Sequence, residues 1–309
     1  MHIVHLCAWR VPVHGYGGSQ RVVYWLAKAQ VALGHRVTLV APPESHVPGA
    51  EVVHLPPGAS FESCVPVDAD VAHVNGFAVL ETRTPWISTS HGNSPGELAF
   101  APNRVYVSAD HARRAGSKAF VHNGVDPDDF VYREKKDDYF LFLARVARRV
   151  KGVDVALRLA RRTGIRLIVA GGMRLDLFKT GGFVDSLRRQ VQFVGEVDDA
   201  RKAELLAGAR ALIFPIRWDE PFGLVVAEAL MSGTPVITTP CGAMPELVTP
   251  DVGFVCRDDG ELERAIASVG EISPAACRSR ALERFSSRVS AQKYARYYER
   301  AIAGEPLEA

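Results

Sequence analysis

Residues 214–247, FPIRWDEPFGLVVAEALMSGTPVITTPCGAMPEL, decide how this chain is read. The stretch predicts a strand, a turn, a buried helix and a second strand. Pro221 favours extended backbone at Glu220 and can itself open a helix, so Glu220 is expected in the loop just before a helix N-terminus. From Phe222 to Met231 the helix is apolar on every face except at Glu228, which predicts packing on both sides rather than one amphipathic face. Burying that carboxylate costs several kcal/mol, roughly, unless hydrogen bonds compensate. The hydroxyl groups of a ligand would supply them. So would a buried arginine, with Glu220 then an ordinary solvated loop residue. The backbone N–H groups near Gly223 and Leu224 are expected to be unpaired donors at the positive end of the helix dipole, where glycine lets an anion approach. One turn of chain thus offers an anion site with two carboxylates beside it.

The spacing Glu220, seven residues, Glu228, with PFG between and SGTPV after, resembles the signature of retaining glycosyltransferases of family 4, the group 1 glycosyl transferases. The resemblance implies an α/β chain with the GT-B fold: two Rossmann-like, doubly wound domains facing an interdomain cleft. It also implies that Glu220 approaches the donor sugar, that Glu228 holds the ribose hydroxyls, and that the turn Phe222, Gly223, Leu224 receives phosphate.

Length and composition agree with a two-domain globular protein of 309 residues. The net charge of +2 is too small to argue for nucleic acid, and the balance is even along the chain: 9 basic against 8 acidic residues up to Val125, 28 against 27 after it. All ten histidines fall at or before His122, but none pairs with acids or cysteines at a metal-ligand spacing. Five cysteines without a CxxC motif argue against a disulfide framework and a zinc site, and fit a reducing cytoplasm. The chain opens on an alternating strand rather than a signal-like apolar run. Nothing reaches the ~18 apolar residues of a membrane span, which leaves peripheral membrane contact open.

In the first half, Met1 to Ala8 reads as a strand running into the loop VPVHGYGGSQ, then a helix from about Ser19 to Leu33 and the strand RVTLVA, a parallel βαβ unit. A dinucleotide GxGxxG would need glycine where Gln20 stands, which weakens an NAD-dependent oxidoreductase. Gly17 and Gly18 resemble the family's N-terminal glycine loop, which implies contact with the donor, although a plain tight turn would use the same residues. Further strands are predicted in EVVHLP, DVAHVNG, PWISTSHG, RVYVSAD and AFVHNGV. His91, at the end of STSHG, resembles the family's active-site histidine, with Gly92 where an acid usually follows. Asp68 and Asp70 spell DAD, which could be taken for the metal-binding DxD of the other glycosyltransferase fold, but such short matches arise by chance and an Asp at a strand entry needs no metal, so no metal is assigned. The domain is short, with little room for helices between Pro42 and Asp68.

VHNGVDPDDF and the charged run after it resemble the family's interdomain junction. This places a first, acceptor-side domain at 1–125, a linker at 126–137 and a donor-binding domain at 138–286. In the second half, DYFLFLARV predicts a strand whose C-terminal end carries Arg145, with Lys151 in the next loop beside Gly152. Open parallel sheets bind ligands at such ends. The resemblance implies that these two cations clamp the donor diphosphate, so that no metal cofactor is required; the neighbouring Arg148, Arg149, Arg158, Arg161 and Arg162 read as a solvated basic face. Backbone groups around Gly195, Glu196 and Val197 are implied to hold the nucleobase. Residues 173–190 follow no clear pattern. The last helix, 287–309, is implied to return to the first domain, with Tyr294, Tyr297 and Tyr298 as its packing face.

The sequence therefore predicts a cytoplasmic, membrane-peripheral at most, metal-independent retaining hexosyltransferase using a nucleoside diphosphate sugar, with a UDP sugar taken as the donor. Its acceptor is a small molecule, a glycan or a lipid-linked hydroxyl. Rival readings are a catalytically silent nucleotide-sugar-binding subunit and a nucleotide-sugar hydrolase or epimerase on the same fold.

Overall fold

Among the described residues, short runs of β-branched and apolar residues build twelve strands, all in parallel pairings, in two sheets. The first contains β1 (His2–Leu6), β2 (Arg36–Ala41), β3 (Glu51–His54), β4 (Val71–Asn75), β5 (Trp86–Ser90) and β6 (Arg104–Tyr106), in the order β3-β2-β1-β4-β5-β6. The second contains β7 (Phe140–Leu143), β8 (Leu167–Ala170), β9 (Val191–Gly195), β10 (Leu212–Phe214), β11 (Val236–Thr238) and β12 (Gly253–Val255), in the order β12-β11-β10-β7-β8-β9. Counted from its own first strand, each sheet reads 3-2-1-4-5-6, the doubly wound Rossmann order. The expected α/β architecture of two such domains is what the chain adopts.

The computed structural model describes every residue except His14, Tyr16, Pro57, Phe77, Ala78, Glu308 and Ala309. Two of these lie in the glycine loop before the first helix and two in the expected C-terminal helical segment. The chain forms two compact units, Met1–Asp126 with Arg284–Ala309, and Pro127–Glu283.

In the first unit, helix Gly18–Ala32 packs Val22, Val23, Trp25, Leu26 and Ala29 inward. The last long helix, Ser287–Ile302, begins with Ser286 as a side-chain cap and lays Tyr294 and Tyr298 into a core with Ile3, Val71, Ile87 and Val105. Its tyrosines join a buried polar network. The Tyr298 hydroxyl meets Gln30 Nε2 at 2.9 Å and His73 Nδ1 at 2.8 Å, while Thr89 Oγ1 lies 2.7 Å from His73 Nε2 and 2.8 Å from the Tyr294 hydroxyl. His5 Nε2 closes the chain on Gln30 Oε1 at 2.6 Å. Burial without ionisation pushes the His5 imidazole down to about 4 and that of His73 well below its ordinary value.

One expected strand does not form. In AFVHNGV, Phe120 makes only an isolated bridge to Tyr106, and Val125 bridges Ser286. The segment divides its backbone hydrogen bonds: Tyr106 bonds Ala119 and Val121 at one end, and Val125 bonds Phe285 and Ser287 at the other. No single neighbour runs alongside it for long enough to make a ladder.

In the second unit, helices Val153–Thr163 and Asp259–Ser268 cover one face of the sheet, where Phe140, Phe142, Leu157, Leu159, Val169 and Ile213 pack together. Residues 173–190, unpatterned in sequence, form a 3-10 turn and two single-turn helices, Leu177–Thr180 and Phe183–Ser186, pinned by buried Leu177 and Ser186.

Candidate active site

In a doubly wound sheet the ligand crevice lies where the strand order reverses, outside the strand C-termini. In the second unit that point falls between β7 and β10, which pair through Leu141 and Leu212. Arg145 and Lys151 come after β7; Trp218, Glu220 and the helix Leu224–Met231 come after β10. The chain has to bring these loops close, and Gly152 shows how close. It adopts φ 75°, and a Cβ there would sit 2.0 Å from the Pro215 carbonyl oxygen. Only glycine fits beside Lys151 at this crossing.

Lys151 is buried, and its ammonium donates to Glu220 Oε2 at 2.6 Å. The Trp218 indole N–H donates to the same oxygen, also at 2.6 Å. Among the described residues nothing bonds Glu220 Oε1. The indole ring also attracts cations: Lys151 Nζ lies 5.2 Å and the Arg148 guanidinium 5.4 Å from its centroid. Behind Glu220, Gly242 at φ 58° lets the loop after β11 touch the backbone, where a Cβ would be 2.3 Å from the Glu220 nitrogen and Ala243 N–H bonds the Glu220 carbonyl at 3.0 Å. Glu220 is therefore fixed through its backbone and one carboxylate oxygen.

The helix starts at Leu224 with Gly223 as its N-cap and no side-chain cap, two residues later than the apolar pattern suggests. Phe222 is buried; it belongs to the turn, and the amide end of the helix comes after it. Glu228 is 4% exposed, and its Oε1 accepts a 2.8 Å bond from Lys202 on helix Asp199–Gly208. Lys202 also stands 5.6 Å from the Phe130 ring centroid. The partner of the buried carboxylate is thus a lysine, not the arginine that the sequence allows. Arg145 is exposed in the loop after β7. Gly195 ends β9 and Glu196 and Val197 follow it, and Gly171 N–H bonds the Gly195 carbonyl at 2.8 Å.

In the first unit, Gly18 opens helix Gly18–Ala32 and Gly17 is its N-cap, again without a side-chain cap. His91 comes directly after β5. Its two ring nitrogens are buried and, among the described residues, unbonded; burial lowers its pKa to about 4, with the nearby Glu97 carboxylate opposing that shift. Glu97 is the acid that Gly92 seemed to remove. A Cβ at Gly92 would lie 2.5 Å from both Glu97 carboxylate oxygens, so this carboxylate reaches the neighbourhood from the next helix, where it bonds Ser94 N–H at 3.0 Å. The DAD residues are occupied structurally: Asp68 pairs with Arg36 at 2.5 Å, and Asp70 accepts the His2 N–H at 2.6 Å. Among the described residues no three His, Cys, Asp or Glu side chains gather as a metal site.

Sequence reasoning missed Lys202, Trp218 and Glu97 as neighbours of the expected residues. Trp218 stood two positions from Glu220 in the deciding stretch; Lys202 carried no local signal.

Two six-stranded parallel Rossmann sheets in one chain give the fold of the GT-B class of glycosyltransferases. Residues 126–283 match the sequence profile of the Glycosyl transferases group 1, and the chain belongs to that family. It is similar to the phosphatidyl-myo-inositol mannosyltransferase of Mycobacterium tuberculosis, with 27% identity over 375 aligned positions covering 98% of each protein. Among solved structures it resembles AviGT4, a glycosyltransferase involved in avilamycin A biosynthesis, at 27% identity and a TM-score of 0.79, with 98% of each chain covered. The sucrose-phosphate synthase of Thermosynechococcus elongatus shares the fold at 19% identity and a TM-score of 0.75, with 98% of this chain and 100% of that one covered.

Proposed function

We propose that this glycosyltransferase moves a hexose from a nucleoside diphosphate sugar, with UDP as the nucleotide, to an acceptor hydroxyl with retention of anomeric configuration and without a metal. The observation that carries the reading is the state of Glu220: one oxygen is held by Lys151 and Trp218, and the other makes no bond among the described residues. A donor whose diphosphate meets Lys151, Arg145 and the amides from Phe222 to Leu224 replaces the carboxylate as the partner of Lys151. Glu220 then turns its charge to the sugar. The cations and the helix N-terminus stabilise the leaving diphosphate, and that diphosphate takes the proton of the acceptor hydroxyl as the new bond forms. Glu228, steadied by Lys202 through Oε1, offers Oε2 to the ribose hydroxyls. Backbone groups at Gly195, Glu196 and Val197 take the base. In the first unit, the neutral His91 imidazole, both of whose ring nitrogens are unbonded among the described residues, can accept from or donate to a hydroxyl group. Five free cysteines support a reducing compartment.

Thermal melting with UDP, GDP and ADP and with their hexose conjugates, in the presence of a chelator, tests this. A rise in Tm with UDP is expected, reduced in Glu228→Gln. No shift with any of the three nucleotides would sink the reading. Turnover of an α-configured donor should give an α-linked product by the anomeric proton signal; a β-linked product refutes retention, and free hexose alone points to hydrolysis.

A further inference from the structure

Among the described residues twelve large apolar side chains stand exposed, and five of them fall within fifteen residues of the β8–β9 crossover. Met173, Leu175 and Phe178 are 66%, 69% and 72% exposed, and Val184 and Leu187 are 75% and 60% exposed. The segment is not simply loose chain. Leu177 is 1% exposed and joins the core beside Leu157, Ser186 is buried, and Phe178 stacks on Phe183 at 4.7 Å, so the fold anchors this crossover and still presents its largest apolar groups to water. Scattered single apolar residues need no explanation, but five in one fifteen-residue stretch, held out on anchored turns, mark a surface that something covers.

The charges nearby say what. Lys179, Arg188 and Arg189 are exposed, and no ion pair engages them among the described residues. Both carboxylates of the segment are occupied: Asp176 caps the Met173 N–H at 2.8 Å, and Asp185 pairs with Arg161 at 3.0 Å. The segment therefore offers exposed apolar side chains interspersed in sequence with exposed cations that no ion pair engages among the described residues. We propose that it docks the protein on an anionic bilayer surface, with Phe178, Leu175 and Val184 entering the interface and Lys179, Arg188 and Arg189 lying against lipid phosphates. No helix among the described residues is long and apolar enough to cross a membrane, so the contact is peripheral.

The crossover begins at the C-terminal end of β8, the strand next to β7. A bilayer on this face would lie along the same sheet edge as Arg145 and Lys151. Resting on the glycosyl-transfer reading, this makes the acceptor a lipid-linked hydroxyl.

Sedimentation of the full chain with phosphatidylcholine vesicles that contain or lack phosphatidylglycerol tests the docking. Binding to the anionic vesicles alone is expected, weakening as salt rises. Arg188→Glu with Arg189→Glu should lower the partition roughly tenfold or more, each cation near the surface being worth about fivefold. Leu175→Asp with Phe178→Asp should abolish it, while the nucleotide-induced rise in Tm stays as in the wild type, which shows that the variant is folded. Absence of wild-type binding, or equal binding to neutral vesicles, overturns the proposal. So does a self-association in sizing that Phe178→Asp removes, which would assign the face to a second copy of the chain. Vesicle binding without any nucleotide shift would leave the docking standing and remove the donor reading.

Discussion

The two units share one strand order yet treat buried polarity in opposite ways. The first closes a neutral network, from His5 through Gln30 and Tyr298 to His73, Thr89 and Tyr294, in which donors and acceptors answer one another inside the fold. The second holds two ion pairs, each with one buried member, Lys151 with Glu220 and Glu228 with Lys202, near the ends of its strands. A satisfied neutral network fixes one arrangement, here the docking of helix Ser287–Ile302. An ion pair with an unused carboxylate oxygen can exchange partners with a charged or hydroxyl-rich ligand at little loss. One unit uses polarity to hold its own chain, and the other keeps it available.

The largest effect expected is at Glu228. Glu228→Ala removes the buried partner of the half-buried Lys202 ammonium, which keeps only the exposed Asp199 carboxylate at 3.6 Å, and breaking such a pair costs up to about 3–5 kcal/mol. Urea unfolding of the full chain should show this loss. The double variant Glu228→Met with Lys202→Met should recover most of the stability and none of the nucleotide-induced rise in Tm. If it recovers both, the pair only holds the fold together, and the contrast between the units disappears.

Acid separates the units next. The folded pKa of His5 is about 4 against 6.5 ordinarily, so the unfolded chain binds the proton first as pH falls. Stability from this group is complete above pH 6.5, declines as pH drops from 6.5 towards 4, and for His5 alone amounts to about 3 kcal/mol. His73 in the same network, pushed well below its ordinary value by burial, adds to it, and so do His91 and His111, both lowered to about 4 by burial. All ten histidines precede Pro127, where the second unit begins. Hydrogen exchange at pH 7 and pH 5 should therefore lose protection in β1, β4, β5 and helix Ser287–Ile302 while β7, β8 and β10 keep theirs. Equal loss in both units would contradict the distinction.

These features differ in how far the sequence shows them. Glu220, Glu228 and the glycine turn between them could be read directly, because the chemistry of a helix N-terminus is local and one short run of chain holds all of it. The alternation of strands and helices was equally plain, since apolar runs and turn residues repeat within short windows. Pairings across long separations were not. Lys202 lies 26 positions before Glu228 on a helix whose pattern says only that one face is apolar, and nothing local tells which lysine turns inward. Glu97 fills the space at Gly92 through a turn that the strand reading of STSHG did not extend to. Gln30 and Tyr298, 268 positions apart, meet only once the last helix returns to the first sheet. Residues 173–190 resisted reading for another reason: their apolar side chains face outward, so the burial periodicity that marks helices and strands is absent.

The smallest predicted effect is the most discriminating test of the second unit's open arrangement. Trp218→Phe keeps an aromatic ring between Arg148 and Lys151 but deletes the indole N–H that bonds Glu220 Oε2. Lys151 still holds that oxygen, so the fold should change by no more than about 1 kcal/mol. The difference lies in direction: with one bond left, the carboxylate can rotate about the ammonium, and its free oxygen is no longer aimed. A loss of about 1 kcal/mol in the transition state alone gives a roughly fivefold lower kcat with an unchanged KM for the donor. Steady-state kinetics with saturating acceptor measure both. A raised KM at constant kcat would mean that Trp218 serves donor binding in general. A lower Tm with neither constant altered would make it packing. Only a fall confined to kcat fits a Glu220 that is held by one oxygen so that the other can act.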